Sequence, residues 1–374
     1  MKISVITLQN ISNYGSVLQA YATQMFFKSM GHETEIVDYW RENMIDRNIA
    51  HDLVLHKNLK FKNIWGKTAV TRNIAEVLLS KKIEKRAGPF RRFVRENLNV
   101  TKTRYISDKP LKESPPQADV YCVGSDQVWN SDWNGKFDES FYLSYAPSGK
   151  PKIAFSSSFG LDSLPEWESE RVKELLSDFS IVTVREASAV KMLEKLGINA
   201  TLFLDPTLLV GRKTWENLVD ERIGKSQPYI LVYQLNDTPE FDSIVEKAAE
   251  LFGKKIVRIE YRKTEKMGEH IVLPEIREWV SYFYYADNVI TDSFHGTVFS
   301  MMFGKKFIDV FPKKFSGRIE SILKLTGLEE RHIENAKELS IMEKKIEYQK
   351  VFDVLEKEAE KAKNIISKVM GEYE

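Results

Sequence analysis

Val289-Ile290-Thr291-Asp292-Ser293-Phe294-His295-Gly296-Thr297 runs an apolar strand into a turn of small polar residues and sets a histidine at the start of a helix. Val289 and Ile290 read as the end of a buried strand, and Thr297 to Gly304 as a buried helix closed by glycine. Asp292 and Ser293 can cap that helix. Amide N–H groups and the positive end of the helix dipole then face any bound phosphate or carboxylate. His295 falls in the first turn, at the carboxyl edge of a sheet, where ligands of open α/β folds bind. A capped helix with a packed histidine is the plain structural alternative.

The segments around this motif repeat its plan. Before it come a strand at Pro228 to Tyr233, a helix at Glu240 to Phe252, a strand at Lys255 to Ile259 and a helix at Glu275 to Ala286; a strand at Lys306 to Val310 follows. An earlier series begins with a strand at Lys2 to Leu8, a helix at Val17 to Met30 and a strand at Thr34 to Tyr39. It continues with strands at Asp119 to Val123, Lys152 to Ser156, Ser180 to Val184 and Ala200 to Leu204, and a helix at Ala187 to Leu196. Alternating strands and helices of this kind predict an α/β protein with two doubly wound, Rossmann-type domains and a ligand cleft between them. The expected boundaries are 1–205 for the first domain, 206–227 for a hinge containing proline, glycine and charge, 228–342 for the second domain, and 343–374 for a C-terminal helix. That helix carries an apolar stripe of Phe352, Leu355, Ala359, Ala362, Ile366 and Val369, read as core-facing and able to cross back to the first domain.

A chain of 374 residues, 43% hydrophobic, is ample for two cores. Its net charge of +1 gives no global polyanion-binding character. Cys122, the single cysteine, rules out an intramolecular disulfide and a cysteine-based zinc site, and fits a reducing, cytoplasmic setting. Met1 to Leu8 reads as a first strand and not as a signal peptide, and no stretch approaches membrane-spanning length.

A helical insertion is expected at about 41–115 in the first domain. In its Lys57 to Arg104 portion Lys57, Lys60, Lys62, Lys67, Arg72, Lys81, Lys82, Lys85, Arg86, Arg91, Arg92, Arg95, Lys102 and Arg104 stand against only Glu76, Glu84 and Glu96. Helical spacing of Ile74, Val77 and Leu78, and of Phe90, Phe93 and Val94, predicts amphipathic helices. Their basic face suits an anionic membrane surface at the inner leaflet, a lipid pyrophosphate or simple solvation; no nucleic-acid-binding signature accompanies it.

Several loops are candidates for chemistry. Asn10 to Ser16, with Asn13, Tyr14 and Gly15, joins the first strand to the first helix and can contact a ligand, but is neither a GxGxxG nor a Walker loop. Gly124-Ser125-Asp126-Gln127-Val128-Trp129-Asn130 emerges from an apolar strand. Ser125, Asp126 and Gln127 can hydrogen-bond sugar hydroxyls, and Trp129 or Trp133 can offer a platform for a pyranose face; an Asx-type turn with a buried tryptophan is the alternative. Arg185 ends a strand and suits capture of a carboxylate or phosphate, with a structural pair to Glu186 or Asp205 as the competing reading. Arg318, after Lys313-Lys314, opens another helix and can supply a second cationic anchor. Metalloprotease, cysteine/histidine metal and GxSxG motifs are missing from the sequence, and His32, His51, His56, His270 and His332 sit in ordinary polar contexts.

The order of these pieces is itself informative. Asn13-Tyr14-Gly15-Ser16 with Leu18 to Tyr21, Gly124 to Asn130, Ser156-Ser157-Ser158-Phe159-Gly160, Val184-Arg185-Glu186, Asp205 to Leu209 and Thr291 to Gly296 together resemble the polysaccharide pyruvyl transferase family over roughly residues 1–330. The resemblance implies a GT-B-like pair of Rossmann-type domains and transfer of the enolpyruvyl unit of phosphoenolpyruvate to a sugar as a ketal. It implies His295 as the catalytic histidine and Arg185 and Arg318 as donor anchors, with Ser293 and Gly296 at the helix start. Acceptor recognition is placed on Asn13, Tyr14, Gly15, Ser125, Asp126 and Gln127, the acceptor being a glycan of an exopolysaccharide or cell-envelope polymer, or its lipid-pyrophosphate-linked precursor. Phosphoenolpyruvate carries its own leaving group, so this chemistry demands no cofactor or metal. A nucleotide-sugar glycosyltransferase and a non-catalytic glycan-binding protein would share the architecture.

Overall fold

The computed structural model describes residues 1–55, 68–161, 163–223, 227–311 and 317–373. Lys57, Lys60, Lys62, Lys67, His56, Lys313 and Lys314 of the sequence reading lie outside the described residues.

Two sheets organise the chain. The first holds β1 (Lys2–Ile6), β2 (Glu33–Tyr39), β3 (Val100–Tyr105), β4 (Val120–Val123), β5 (Lys152–Ser157), β6 (Ile181–Val184) and β7 (Ala200–Leu202), in the order β3-β2-β1-β4-β5-β6-β7. The second holds β8 (Tyr229–Tyr233), β9 (Lys255–Glu260), β10 (Glu269–Val272), β11 (Asn288–Thr291) and β12 (Lys306–Asp309), in the order β10-β9-β8-β11-β12, every pair parallel. Central strands such as β4, β8 and β11 are buried at every position, as expected where helices cover both faces of a parallel sheet. Each sheet is doubly wound. The direction of winding reverses between β1 and β4 in the first and between β8 and β11 in the second, so the loops after those strands border the positions where such folds bind ligands.

Two edge strands escape the sequence reading. β3 lies inside the span expected to be helical; its exposed Lys102, Thr103 and Arg104 blunt a sheet edge and hide the alternation that marks a strand. β10 is a four-residue edge strand with no buried position. The two apolar clusters of the insertion belong to one helix, Ala69–Asn97, which starts on a Thr68/Thr71 capping box and contains Pro89. Phe90 and Phe93 pack edge-on against Tyr14 and Tyr21 of the helix Tyr14–Ser29, with ring centroids 4.9 and 5.6 Å apart. Arg91 grips Asp46 of the helix Asp46–Leu55 through two hydrogen bonds of 2.7 and 2.6 Å. Ile74, Val77 and Leu78 do the reverse of what their spacing predicts: their side chains are exposed.

The chain divides into two compact units, Met1–Val184 with Ser188–Thr201, and Arg185–Ala187 with Leu202–Glu374. Residues 206–218 of the expected 206–227 hinge pack within the second unit: Leu208, Trp215 and Leu218 are buried, and the Trp215 indole donates to the Thr207 carbonyl at 3.0 Å. The proline there opens the short helix Pro206–Leu209 behind its Asp205 cap, so the local composition records a cap. The terminal helix Tyr348–Gly371 also packs within the second unit, against Pro206–Leu209 and the helix Gly317–Thr326. Its buried line is Val351, Leu355, Ala362, Ile366 and Met370; Phe352, Ala359 and Val369 of the expected stripe sit half-buried at its margin. None of the described helices is long and apolar enough to cross a membrane.

Candidate active site

The second unit gathers the chemistry-bearing residues. Ser293 caps the helix Phe294–Met302, its side chain accepting from the Gly296 amide at 3.4 Å, and this places half-buried His295 in the first turn as the sequence predicts. Asp292 does not share the capping. Its carboxylate accepts the Leu235 and Asn236 amides at 2.7 Å each and the Asn236 side chain at 2.9 Å, tying the loop after β8 to the loop after β11 across the winding reversal. Burial outweighs these donors and raises its carboxyl above the ordinary range.

The helix start sits unusually close to its own strand. A Cβ on Gly296 would stand 2.2 Å from the Thr291 hydroxyl, which is itself fixed as donor to the Tyr233 carbonyl at 2.7 Å and acceptor of the Ser293 amide at 3.1 Å. Only glycine fits there. Gly296→Ala should cost about 1–3 kcal/mol by overpacking, read from urea unfolding.

One turn on, Thr297 donates to Asp309 at 2.7 Å. Asp309 is wholly buried, its other carboxylate oxygen has no hydrogen-bond partner, and burial drives its proton affinity well above normal. A group with a raised folded-state pKa contributes stability that is complete below the unfolded value, here 3.8, and lost as pH rises through the folded value. Asp309→Asn fixes the neutral hydrogen-bonding form. It should stabilise the fold at neutral pH by about 1–3 kcal/mol, with the gain vanishing under acid conditions in thermal melts across pH.

Beside this helix lies an ion-pair cluster. Arg185, its side chain only 1% exposed, donates to Asp205 at 2.7 Å and to Glu186 at 3.3 Å. Arg185 is therefore a buried, compensated cation and not an open anion anchor, which is the structural pairing that its neighbours in sequence allowed. Burial alone would raise the Asp205 carboxyl, but Arg185, the charge of His295 and the Thr207 donors together hold it below its ordinary value. Asp205 thus links the arginine to the histidine. Arg318 approaches Glu186 at 4.0 Å, the loosest contact of the cluster, and lies over the Phe294 ring at 5.3 Å with a fifth of its side chain exposed. Asp205 and Glu186 entered the sequence reading only as pairing partners of Arg185, because nothing local distinguishes a carboxylate that only closes an ion pair from one that also feels the charge of a distant histidine.

The first unit builds a separate polar cluster at its own winding reversal. Asn13 caps the helix Tyr14–Ser29 by accepting the Ser16 amide at 3.1 Å, and the Ser16 hydroxyl donates to Asp126 at 2.6 Å. Gly124, at φ +112°, is required because a Cβ would stand 2.3 Å from the Phe155 carbonyl. Of the expected acceptor contacts, Tyr14 and Gly15 are core positions, and Ser125 is fully buried with its hydroxyl given to the Ser156 carbonyl at 2.7 Å. Asp126 is nearly buried; Asn13 and Gln127 keep partly exposed side chains. Trp129 is a correction: it is 2% exposed, stacked on Tyr142 at 5.6 Å, with its indole donating to the Phe141 carbonyl at 2.8 Å. The exposed aromatic of the pair is Trp133. Arg41, absent from the sequence reading, is buried nearby and donates to Asn134 at 2.5 Å, with Asp138 first and Asp126 last among the charges that oppose its desolvation.

Known proteins fit this architecture. The chain resembles the UDP-GlcNAc 2-epimerases of Rickettsia bellii (11% identity, 100% of this chain and 96% of that one, TM-score 0.52) and of Neisseria meningitidis bound to UDP-GlcNAc (10%, 100% and 100%, 0.51). It is also similar to the enzyme of the same name from Methanocaldococcus jannaschii (14%, 98% and 99%, 0.50). At such identities the likeness establishes the fold, a GT-B type built of two Rossmann-like domains. No curated protein matches the chain. The sequence profile described as Polysaccharide pyruvyl transferase matches residues 13–311, from Asn13 after β1 to just past β12, and the chain belongs to that family.

Proposed function

We propose that the protein transfers the pyruvyl group of phosphoenolpyruvate to two hydroxyls of a sugar in a polysaccharide, or in its lipid-pyrophosphate-linked precursor, forming a ketal. The observation that carries this reading is the placement of His295 in the first turn of a capped helix, next to the Phe294 ring over which Arg318 lies, with its charge among those that hold down the carboxyl of buried Asp205. Phosphoenolpyruvate brings a carboxylate and a phosphate close together, and its recognition calls for cationic and amide donors. Arg318 and the positive end of the helix Phe294–Met302 serve it directly, while the Ser293 and Gly296 amides, given to Thr291 and to the Ser293 cap, shape the turn. Arg185, committed to Asp205 and Glu186, orients the carboxylates around it.

In the reaction the enol methylene of the donor takes up a proton and becomes a methyl group. A sugar hydroxyl oxygen bonds to the central carbon and gives up its proton; the bond from that carbon to the phosphate oxygen breaks, releasing inorganic phosphate. A second hydroxyl bonds to the same carbon with loss of its proton and closes the ketal, so one phosphate leaves per pyruvyl unit and no oxidant is consumed. His295 has the intrinsic basicity for one of these proton transfers. Asn13, Asp126 and Gln127 of the first unit are assigned to the acceptor sugar. Calorimetry tests the donor assignment: the chain should bind phosphoenolpyruvate and lose affinity on Arg318→Ala. Tight binding of UDP- or GDP-sugars with no response to phosphoenolpyruvate would overturn it.

A further inference from the structure

The outward ridge of the helix Ala69–Asn97 is apolar where a surface helix should be polar. Val70, Ile74, Val77 and Leu78 are 68%, 48%, 54% and 57% exposed. At about 100° per residue these four fall within an arc of about 100°. The buried positions Ala75, Glu76, Ala87, Phe90, Phe93 and Val94 hold the rest of the helix to the first unit, so the ridge is not a misread core face. Isolated exposed aliphatics are ordinary, but four on one arc are not. Along the helix, toward its C-terminus, Lys81, Lys85, Arg92 and Arg95 continue the same arc, with exposed Lys82 and Arg86 beside them. Between positions 81 and 96 the acidic residues of the sequence are Glu84 and Glu96.

We propose that this ridge docks the protein on an anionic lipid bilayer, the aliphatic half entering the headgroup boundary and the basic half lying on the charged surface. A bilayer interface matches both halves of the ridge at once, and each lysine or arginine held near an anionic leaflet adds to the attraction. Nucleic acid would satisfy the cations and leave the aliphatic side chains in water, since its apolar contacts are to bases and use aromatic platforms. A second copy packed through the aliphatic half would bury those side chains and leave the basic half without a role. The inference does not depend on the transfer chemistry. It would hold a lipid-linked acceptor within reach, but it stands or falls on binding alone.

Flotation of the full-length chain with vesicles tests it. The chain should bind phosphatidylcholine vesicles containing phosphatidylglycerol, ignore vesicles of phosphatidylcholine alone, and dissociate partially as salt rises. Lys81→Glu, Lys82→Glu and Lys85→Glu together should weaken binding by on the order of a hundredfold or more. Ile74→Ser and Leu78→Ser should each weaken it by on the order of tenfold and remove the salt-resistant part. All five positions are exposed, and unchanged circular dichroism and melting would show the variants folded. Failure of the native chain to bind phosphatidylglycerol vesicles at low salt would overturn the proposal. So would binding that survives both sets of substitutions, retention on RNA that the lysine variant loses and the aliphatic variants keep, or self-association through the ridge without vesicle binding.

Discussion

Replacing His295 with alanine should reduce kcat for pyruvyl transfer by about 10²–10⁴-fold, the usual contribution of a positioned general acid or base. The loss should fall on kcat more than on KM for phosphoenolpyruvate, because the anion is held by Arg318 and by the helix start, which the substitution leaves in place. Folding should hardly change: His295 is half-buried in the first turn of a helix whose cap is made by Ser293 and whose remaining positions are filled by Thr297 to Met302. Steady-state kinetics beside a urea titration separate the two effects. A variant with native kcat would remove His295 from the proton transfers.

The second large effect is expected at Asp205. Asp205→Ala strips the buried Arg185 guanidinium of its principal partner and removes the acceptor that receives the Thr207 amide and hydroxyl at 3.0 and 2.7 Å. Breaking a buried pair from one side costs about 3–5 kcal/mol, because the surviving charge stays buried. Arg185→Met combined with Asp205→Asn removes both charges, keeps an acceptor for Thr207, and should recover a large part of that loss. The pH dependence has a defined sign. Asp205 is held below its ordinary value of 3.8, so its contribution is present above that value and is lost as pH falls through the depressed folded-state value. Asp205→Asn should therefore lack the part of acid destabilisation seen in the native chain below about pH 4. Its kinetic signature should be a displaced pH profile for kcat, since Asp205 and His295 influence each other electrostatically; an unchanged profile would make Asp205 a purely structural residue.

How much of this was legible in sequence depended on whether the deciding contact was local. The strand, cap and histidine at 289–297 follow from neighbours in the chain, and so does the alternation of strands and helices that fixes two doubly wound domains. Trp129 could stand as an exposed platform or as core until its indole met the Phe141 carbonyl, a contact set by the path of the intervening loop. Arg185 likewise offered two readings, separated only by the fold that brings Asp205, 20 positions away, to 2.7 Å. Arg41 gives no local signal, because what offsets its burial is the charge of Asp138 and a hydrogen bond to Asn134, both far along the chain. Ile74, Val77 and Leu78 mislead for the opposite reason: helical periodicity reports that apolar residues share a face, and the direction of that face is a tertiary fact.

The fold accounts for the arrangement of the site within each unit. Parallel strands buried on both faces leave their functional groups at the carboxyl ends, and the winding reversals collect there the loops after β1 and β4 in one unit and after β8 and β11 in the other. The most direct test of pyruvyl transfer is mass spectrometry of a glycan acceptor incubated with the full-length protein and phosphoenolpyruvate, alongside assay of free phosphate. The expected result is one ketal-linked pyruvyl unit on the sugar for each phosphate released, abolished by His295→Ala. Phosphoenolpyruvate left intact and no adduct on any of a panel of envelope glycans, with the protein folded, would contradict it.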